Sequence, residues 1–149
     1  MNDFFATLVL GHLIGDYLLQ NKWMAMNKSG NSFKCAVHCL IYTSAVTATT
    51  WPTIHSWQWS LLIFATHFPV DRWSLADKWL DLINSRSLRD FISNGKKDIP
   101  KELDAENYHA LRGGFTAFVY AVTDNTIHLA AMYYGYKLLI HFGGQNFLA

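Results

Sequence analysis

Apolar residues in this chain group into four long segments separated by more polar connections. The segments run over residues 4–20, 35–51, 57–75 and 114–142. A helix needs about 17–25 mostly apolar residues to cross a bilayer core, and each segment reaches or nearly reaches that length. The pattern predicts an all-α fold, a four-helix transmembrane bundle built as one membrane domain over residues 1–149. The alternative is a water-exposed helical bundle with unusually apolar helices.

The stretch between the third and fourth segments, residues 76–113, has a different pattern. It begins with ADKWLDLINSRSLRDFI, in which apolar and charged residues alternate at helical spacing. This pattern predicts an amphipathic helical segment that lies on the cytoplasmic face of the membrane.

Tryptophan and basic residues predict how the bundle is oriented. Trp51, Trp57 and Trp73 lie at segment ends, where an interfacial aromatic belt is expected. Lysine and arginine concentrate in the first and third connections, which the positive-inside rule assigns to the cytoplasm. The chain is therefore expected in the cell inner membrane as a multi-pass protein, with both termini outside the cytoplasm.

Composition narrows the possible functions. Hydrophobic residues make up 51% of the chain and charged residues only 15%, against about a quarter charged in a typical domain. The net charge of +1 gives no electrostatic reason to expect nucleic acid as a partner. Cys35 and Cys39 lie one helical turn apart, which favours packing thiols over a disulfide framework.

Histidine and aspartate recur four residues apart inside the apolar segments. The three pairs are His12/Asp16, His67/Asp71 and Asp124/His128. Four residues is about one helical turn, so the members of each pair share a helix face. An ionisable group in such a segment is costly and indicates a functional site. The pairs predict one metal site assembled from several helices; the alternative is that each pair only neutralises itself as an ion pair.

His38 is a further candidate ligand, although a buried packing histidine is an equal alternative at that position. Imidazole and carboxylate are standard ligands for zinc, manganese and iron. Zinc is the first expectation, with manganese or iron as alternatives, and one or two ions per site. Pro69 interrupts the helix between His67 and Asp71 and leaves the spacing argument for that pair open.

A metal-dependent hydrolase is the function that these residues favour. One or two ions would activate water, and Asp16 or Asp71 would serve as the catalytic base. Arg112, with His109 nearby, could bind a substrate anion, although a surface role is the alternative for His109. The expected substrate is a small amphiphilic phosphoester or lipid-like molecule at the cytoplasmic face, with membrane lipid as partner and a homo-oligomer as a possible assembly. The alternatives are a metal-ion or proton transporter and a non-catalytic membrane accessory protein.

The segment GHLIGDYLLQNKWMAMNK, residues 11–28, resembles the start of a bacterial and phage membrane family known as domain of unknown function 3307. The matching elements are His12, Asp16, Tyr17 and Gln20 in the first motif, the single His38, the set His67, Asp71 and Arg72, and the set Asp124, Asn125 and His128. The similarity extends over nearly the whole chain and implies a membrane protein, but it implies no established activity. The arrangement is more distantly similar to membrane-bound metal-dependent hydrolases, which also place His and Asp on membrane helices.

Overall fold

The computed structural model describes residues 4–84 and 105–143, with the side chains of residues 105–109, 111 and 112 excepted. Every regular element in these ranges is helical. In chain order they are α1 (Phe4–Leu13), a π-helical turn (Ile14–Leu18), α2 (Lys22–Ala25), α3 (Ser32–Thr50), α4 (Trp57–Arg72), α5 (Leu75–Asn84) and α6 (Ala105–Gly143). The prediction of an all-α chain is confirmed for these residues.

The chain divides into two compact units. The first unit comprises Met1–Trp73 with Ile127–Ala149, and the second comprises Ser74–Thr126. In the second unit, Ala76 and Leu80 of α5 are buried one turn apart, whereas Lys78 and Asp81 are exposed. This helix has the amphipathic pattern of its sequence. The rest of the predicted insert is residues 85–113. Of these, residues 85–104 lie outside the described ranges.

Helix α3 is the central element of the first unit. It packs against α1, the π-helical turn, α2 and α4. Its buried side chains contribute to an apolar core that also takes residues from α1, α4, α6 and the loop before α4; this core consists of Leu8, Tyr42, Val46, Ile54, Trp59, Ile63 and Met132. The core therefore joins side chains of α1, α3, α4 and α6.

Local sequence signals account for the helix starts and for the close contact of α1 with α3. The side chains of Asn21 and Asn31 accept hydrogen bonds from the backbone at the starts of α2 and α3, as N-cap residues do. Gly15 lies against Tyr42, so close that a Cβ at this position would be 2.6 Å from the tyrosine ring. Glycine at this position therefore lets the start of the chain lie directly on α3.

The prediction of a transmembrane bundle is wrong: none of the helices in residues 4–84 and 105–143 combines the length and the apolar character that a membrane span requires. Helix α1 has 10 residues and α4 has 16, which correspond to roughly 15 and 24 Å against a bilayer core of about 30 Å. Helices α3 and α6 are longer, but hydroxyl, histidine and amide side chains interrupt their apolar stretches. The predicted multi-pass localisation in the inner membrane, with both termini outside, is wrong for the same reason.

Candidate metal centre

Four buried polar side chains of the first unit converge on one point. Asp16 comes from the π-helical turn, His38 from α3, and His67 and Asp71 from α4. Their exposed fractions are 8%, 0%, 2% and 3%. We call these residues the His2Asp2 cluster. Two carboxylates and two imidazoles so far from solvent require strong compensation, because buried charges are costly unless they are paired or bind a metal.

The backbone explains why three separate helices supply this cluster. Asp16 lies in a π-helical turn, a local widening of the helix that often occurs at functional sites. Helix α4 continues through Pro69, and His67 and Asp71 on either side of it still reach the same point, with Nε2 and Oδ2 3.2 Å apart. The proline therefore does not separate this pair.

The candidate ligand atoms of the His2Asp2 cluster lie close to one another. Nε2 of His38 lies 3.2 Å from Oδ1 of Asp16, 3.0 Å from Oδ2 of Asp71 and 3.1 Å from Nε2 of His67. Nε2 of His67 lies 3.6 Å from Oδ1 of Asp16 and 3.2 Å from Oδ2 of Asp71. Ligand atoms at the corners of a tetrahedron around zinc, each about 2.0–2.2 Å from the ion, are roughly 3.3–3.6 Å from one another. Five of the six distances among the four atoms are 3.0–3.6 Å, four of them slightly shorter than in such a tetrahedron, so small outward shifts would make room for an ion.

The carboxylates of the cluster have close charged contacts but no well-aligned hydrogen bonds. Within residues 4–84 and 105–143, the carboxylate oxygens of Asp16 and Asp71 have no hydrogen-bond partner with normal alignment. Imidazole nitrogens and the Lys28 ammonium nevertheless lie 2.9–3.6 Å from them. Buried carboxylates normally accept several aligned hydrogen bonds, so these oxygens keep capacity for a further partner such as a cation.

Each carboxylate directs one oxygen to the centre and the other to a different set of partners. Oδ2 of Asp16 lies 3.5 Å from Nδ1 of His12. Oδ1 of Asp71 lies 2.9 Å from Nζ of Lys28 and 3.4 Å from Nε2 of His128. Outer partners of this kind fix the orientation of ligating carboxylates in metalloproteins.

Gln20 connects the backbone of Asp16 with Lys28, the cation beside Asp71. With the amide oriented to satisfy both ends, its nitrogen donates to the backbone carbonyl of Asp16 (3.2 Å) and its oxygen accepts from Nζ of Lys28 (3.3 Å). Lys28 has a side-chain exposure of 15%. Gln20 and Lys28 therefore border the cluster on a side that solvent reaches in part.

Aromatic stacking holds the imidazole of His67. The ring of Tyr42 is stacked on it at 3.6 Å and 18°, and the ring of His128 lies on it at 4.0 Å and 27°. Tyr42 also places its ring within 5.7–6.2 Å of His12, His38 and His128. The ring of Tyr42 thus lies near histidines of α1, α3, α4 and α6.

The electrostatics of the cluster favour ionised carboxylates. Burial by itself raises the pKa of Asp16 and of Asp71, but the surrounding imidazoles hold both pKa values below their ordinary range. Burial lowers the pKa of His38, yet the two carboxylates outweigh burial and raise it. Burial and the neighbouring His128 lower the pKa of His67 to about 4. Without metal, a proton on Nε2 of His38 would face one oxygen of each carboxylate and Nε2 of His67.

The predicted ligands divide into inner and outer positions. Asp16, His38, His67 and Asp71 form the cluster, whereas His12 and His128 contact the outer oxygens of the two carboxylates. Asp124 lies on α6 one turn before His128 but belongs to the second unit. The side chains of His109 and Arg112 lie outside the described ones. The roles of Asp124, His109 and Arg112 therefore stay predictions.

Sequence reasoning missed Tyr42 and underrated Lys28. Tyr42 follows His38 by one helical turn, so spacing on α3 was a usable signal for it. Lys28 was counted only as a basic residue of the first connection, and no local pattern links it to Asp71, which lies 43 positions later. The contact between Lys28 and Asp71 depends on tertiary structure alone.

Comparison with known proteins identifies the family but no activity. Searches among curated proteins and among solved structures find no match for the chain. The family described as "Protein of unknown function (DUF3307)" matches residues 4–142. This range covers the His2Asp2 cluster and its outer partners, and the chain therefore belongs to the DUF3307 family.

Proposed function

We propose that the protein binds one divalent transition-metal ion, zinc in first place, at the His2Asp2 cluster. The observation that carries the proposal is the set of five ligand-to-ligand distances of 3.0–3.6 Å among four buried side chains. Two imidazole nitrogens and two carboxylate oxygens suit zinc, and manganese or iron are the alternatives. The outer oxygen of each carboxylate already has protein partners, which supports one ion at this cluster rather than two.

Metal content is the direct test. Protein purified from metal-replete cells is expected to hold about one zinc ion per chain, because four protein ligands saturate a tetrahedral site. Exchange for Co²⁺ should produce the visible absorption of tetrahedral cobalt. The variant His38→Gln should lose the ion, whereas His55→Gln should keep it, since His55 is exposed and contacts Trp51.

The proposal fails if titration with Zn²⁺ or Co²⁺ shows no binding to the wild-type protein. It also fails if His38→Gln binds the ion as tightly as His55→Gln does, because the ligands would then lie elsewhere. Loss of folding in His38→Gln is checked by circular dichroism of the metal-free proteins.

Metal-dependent hydrolysis is a second candidate function, and Lys28 is the observation that favours it. Its ammonium group lies 2.9 Å from Asp71 and is partly exposed, so a phosphate or carboxylate group of a substrate could reach it from solvent. A bound ion would polarise a phosphoryl or acyl oxygen and lower the pKa of water. Asp16 is the most exposed of the four cluster residues and is the candidate base; in that role it would leave three protein ligands and an open position for water on the ion.

A screen of phosphoesters and carboxylic esters with added Zn²⁺ or Mn²⁺ tests this second function. Turnover should require the ion and should fall in both Asp16→Asn and Lys28→Met. If the ion binds and no ester is cleaved, the hydrolase candidate fails while the metal-binding proposal stands. A catalytic zinc site normally keeps an open position, so the absence of turnover would agree with a closed site of four protein ligands.

A further inference from the structure

Tyr42 is the one aromatic residue whose hydroxyl and ring both reach the histidines of the cluster, among the residues the structure describes. It is fully buried on α3 and lies between the elements that supply the ligands. Its hydroxyl points toward α1 and its ring covers the His67 imidazole of α4.

The Tyr42 hydroxyl lies between His12 and Met132. It is 2.7 Å from Nδ1 of His12 and 3.4 Å from Sδ of Met132. Nδ1 of His12 also lies 3.5 Å from Oδ2 of Asp16, so the hydroxyl, the imidazole and the outer oxygen of Asp16 form one chain of contacts. This chain holds Oδ2 of Asp16 on the His12 side, while Oδ1 faces Nε2 of His38.

The aromatic ring of Tyr42 restrains the imidazole of His67. A histidine that binds a metal almost always donates its second ring nitrogen to a carboxylate, a carbonyl or water. Nδ1 of His67 is buried and has no hydrogen-bond partner among residues 4–84 and 105–143. Stacking between Tyr42 at 3.6 Å and His128 at 4.0 Å is what restrains the plane of this imidazole.

We infer that Tyr42 is the positioning residue of the metal centre, orienting Asp16 through His12 and His67 through ring stacking. The inference rests on the proposed metal site and adds to it a residue that binds no metal itself. Tyr42 contacts His12 of α1 and His67 of α4 at the same time. A change at this residue should therefore alter both metal affinity and ligand geometry.

Two variants of Tyr42 separate the contributions of the hydroxyl and the ring. Tyr42→Phe keeps the stacking on His67 and removes the hydrogen bond to His12; loss of such an outer contact typically weakens metal binding about 10–100-fold. Tyr42→Leu removes both and should weaken binding further. Tyr136→Phe is the matched control, because Tyr136 packs on Phe4 and Trp59 in the apolar core.

The measurements are Zn²⁺ affinity by competition with a chromophoric chelator, and the visible spectrum of the Co²⁺-loaded proteins. We expect weaker Zn²⁺ binding and an altered Co²⁺ spectrum in Tyr42→Phe, with Tyr136→Phe like the wild type in both. Thermal unfolding of the metal-free proteins distinguishes this result from a general loss of stability. If Tyr42→Leu does not fold, Tyr42→Phe alone decides.

The inference is overturned if Tyr42→Phe binds Zn²⁺ with wild-type affinity and gives a wild-type Co²⁺ spectrum. It is also overturned if Tyr42→Phe and Tyr136→Phe lose affinity equally, since the effect would then be one of general packing. Failure of the wild-type protein to bind either ion would instead refute the metal site on which the inference rests.

Discussion

The two carboxylates of the cluster have opposite surroundings. We define the Asp16 side as Asp16 with His12, Tyr42 and Gly15, and the Asp71 side as Asp71 with His67, Lys28 and His128. On the Asp16 side, the outer oxygen faces an imidazole that is hydrogen-bonded to a phenol, all of it deeply buried. On the Asp71 side, the outer oxygen faces a lysine ammonium that solvent reaches in part.

This difference indicates two separate tasks. Asp71 has a cation beside it whether or not a metal is bound, so its charge is compensated within the protein. Asp16 has no lysine or arginine as its outer partner in the contacts described, and it depends on the centre itself for compensation. We therefore expect the Asp71 side to support the metal-free fold and the Asp16 side to respond mainly to the metal.

The largest effect is expected from removing either carboxylate charge. Asp16→Asn and Asp71→Asn should each weaken zinc binding at least about 100-fold, because a ligand rather than an outer partner is lost. Asp71→Asn should in addition destabilise the metal-free protein by about 2 kcal/mol, since it leaves Lys28 without its carboxylate. Chelator competition and urea unfolding measure the two effects. Equal stability losses in the two variants would remove the distinction between the sides.

Acid should destabilise the metal-free protein through His67 on the Asp71 side. The folded-state pKa of His67, about 4, lies below the ordinary histidine value of 6.5, so the unfolded chain binds the proton more readily. The stability contributed by neutral His67 is present above pH 6.5 and is lost as the pH falls toward 4, by at most about 3 kcal/mol. The raised pKa of His38 contributes stability that is already complete below pH 6.5, so it does not offset this loss.

Urea unfolding at pH 7, 6, 5 and 4 measures this dependence. His67→Gln should flatten the curve over that range, whereas His55→Gln should leave the slope unchanged. A slope that persists in His67→Gln would assign the acid sensitivity to another group. The lowered pKa values of Asp16 and Asp71 act in the same direction, but at still lower pH.

Gly15→Ala tests the Asp16 side through packing, because it changes neither a charge nor a candidate ligand. The added Cβ would lie 2.6 Å from Cδ2 and 3.2 Å from Cα of Tyr42, so the tyrosine must shift. Overpacking of this kind typically costs about 1–3 kcal/mol. Zinc affinity should fall together with stability, because Tyr42 adjoins both His12 and His67. Gly30→Ala is the control, since its Cβ would meet no atom closer than 3.9 Å.

The smallest effect is expected at Lys28. Lys28→Met should destabilise the metal-free protein by about 1–2 kcal/mol, because Asp71 loses its adjacent cation. It should also increase the thermal stabilisation that added Zn²⁺ produces, because the ion then replaces a missing positive charge. Lys34→Met is the control, since Lys34 binds Asn27 and lies over the ring of Trp23. A smaller response to Zn²⁺ in Lys28→Met than in Lys34→Met would show that Asp71 does not rely on lysine for compensation.

Much of the candidate centre could be predicted from spacing along the chain. His12, Asp16, His67 and Asp71 were found because one helical turn brings residues four apart onto one face, a property of any regular helix. Spacing alone could not tell which of these four residues belong to the cluster itself. The structure places His12 outside the His2Asp2 cluster. Spacing also left His38 undecided, because a single histidine has no partner on its own helix to indicate its role.

By itself, the sequence determined that the chain is helical and that its ionisable residues concentrate on a few helix faces, because periodicity and caps act within one or two turns. Only the tertiary structure decided where the apolar segments end as helices, and the expectation of membrane spans failed at that point. It also decided which oxygen of each carboxylate faces the centre, and that Lys28 and Tyr42 stand beside it. These contacts join residues far apart in sequence, and their geometry follows from how α1, α3, α4 and α6 pack, which no local pattern encodes.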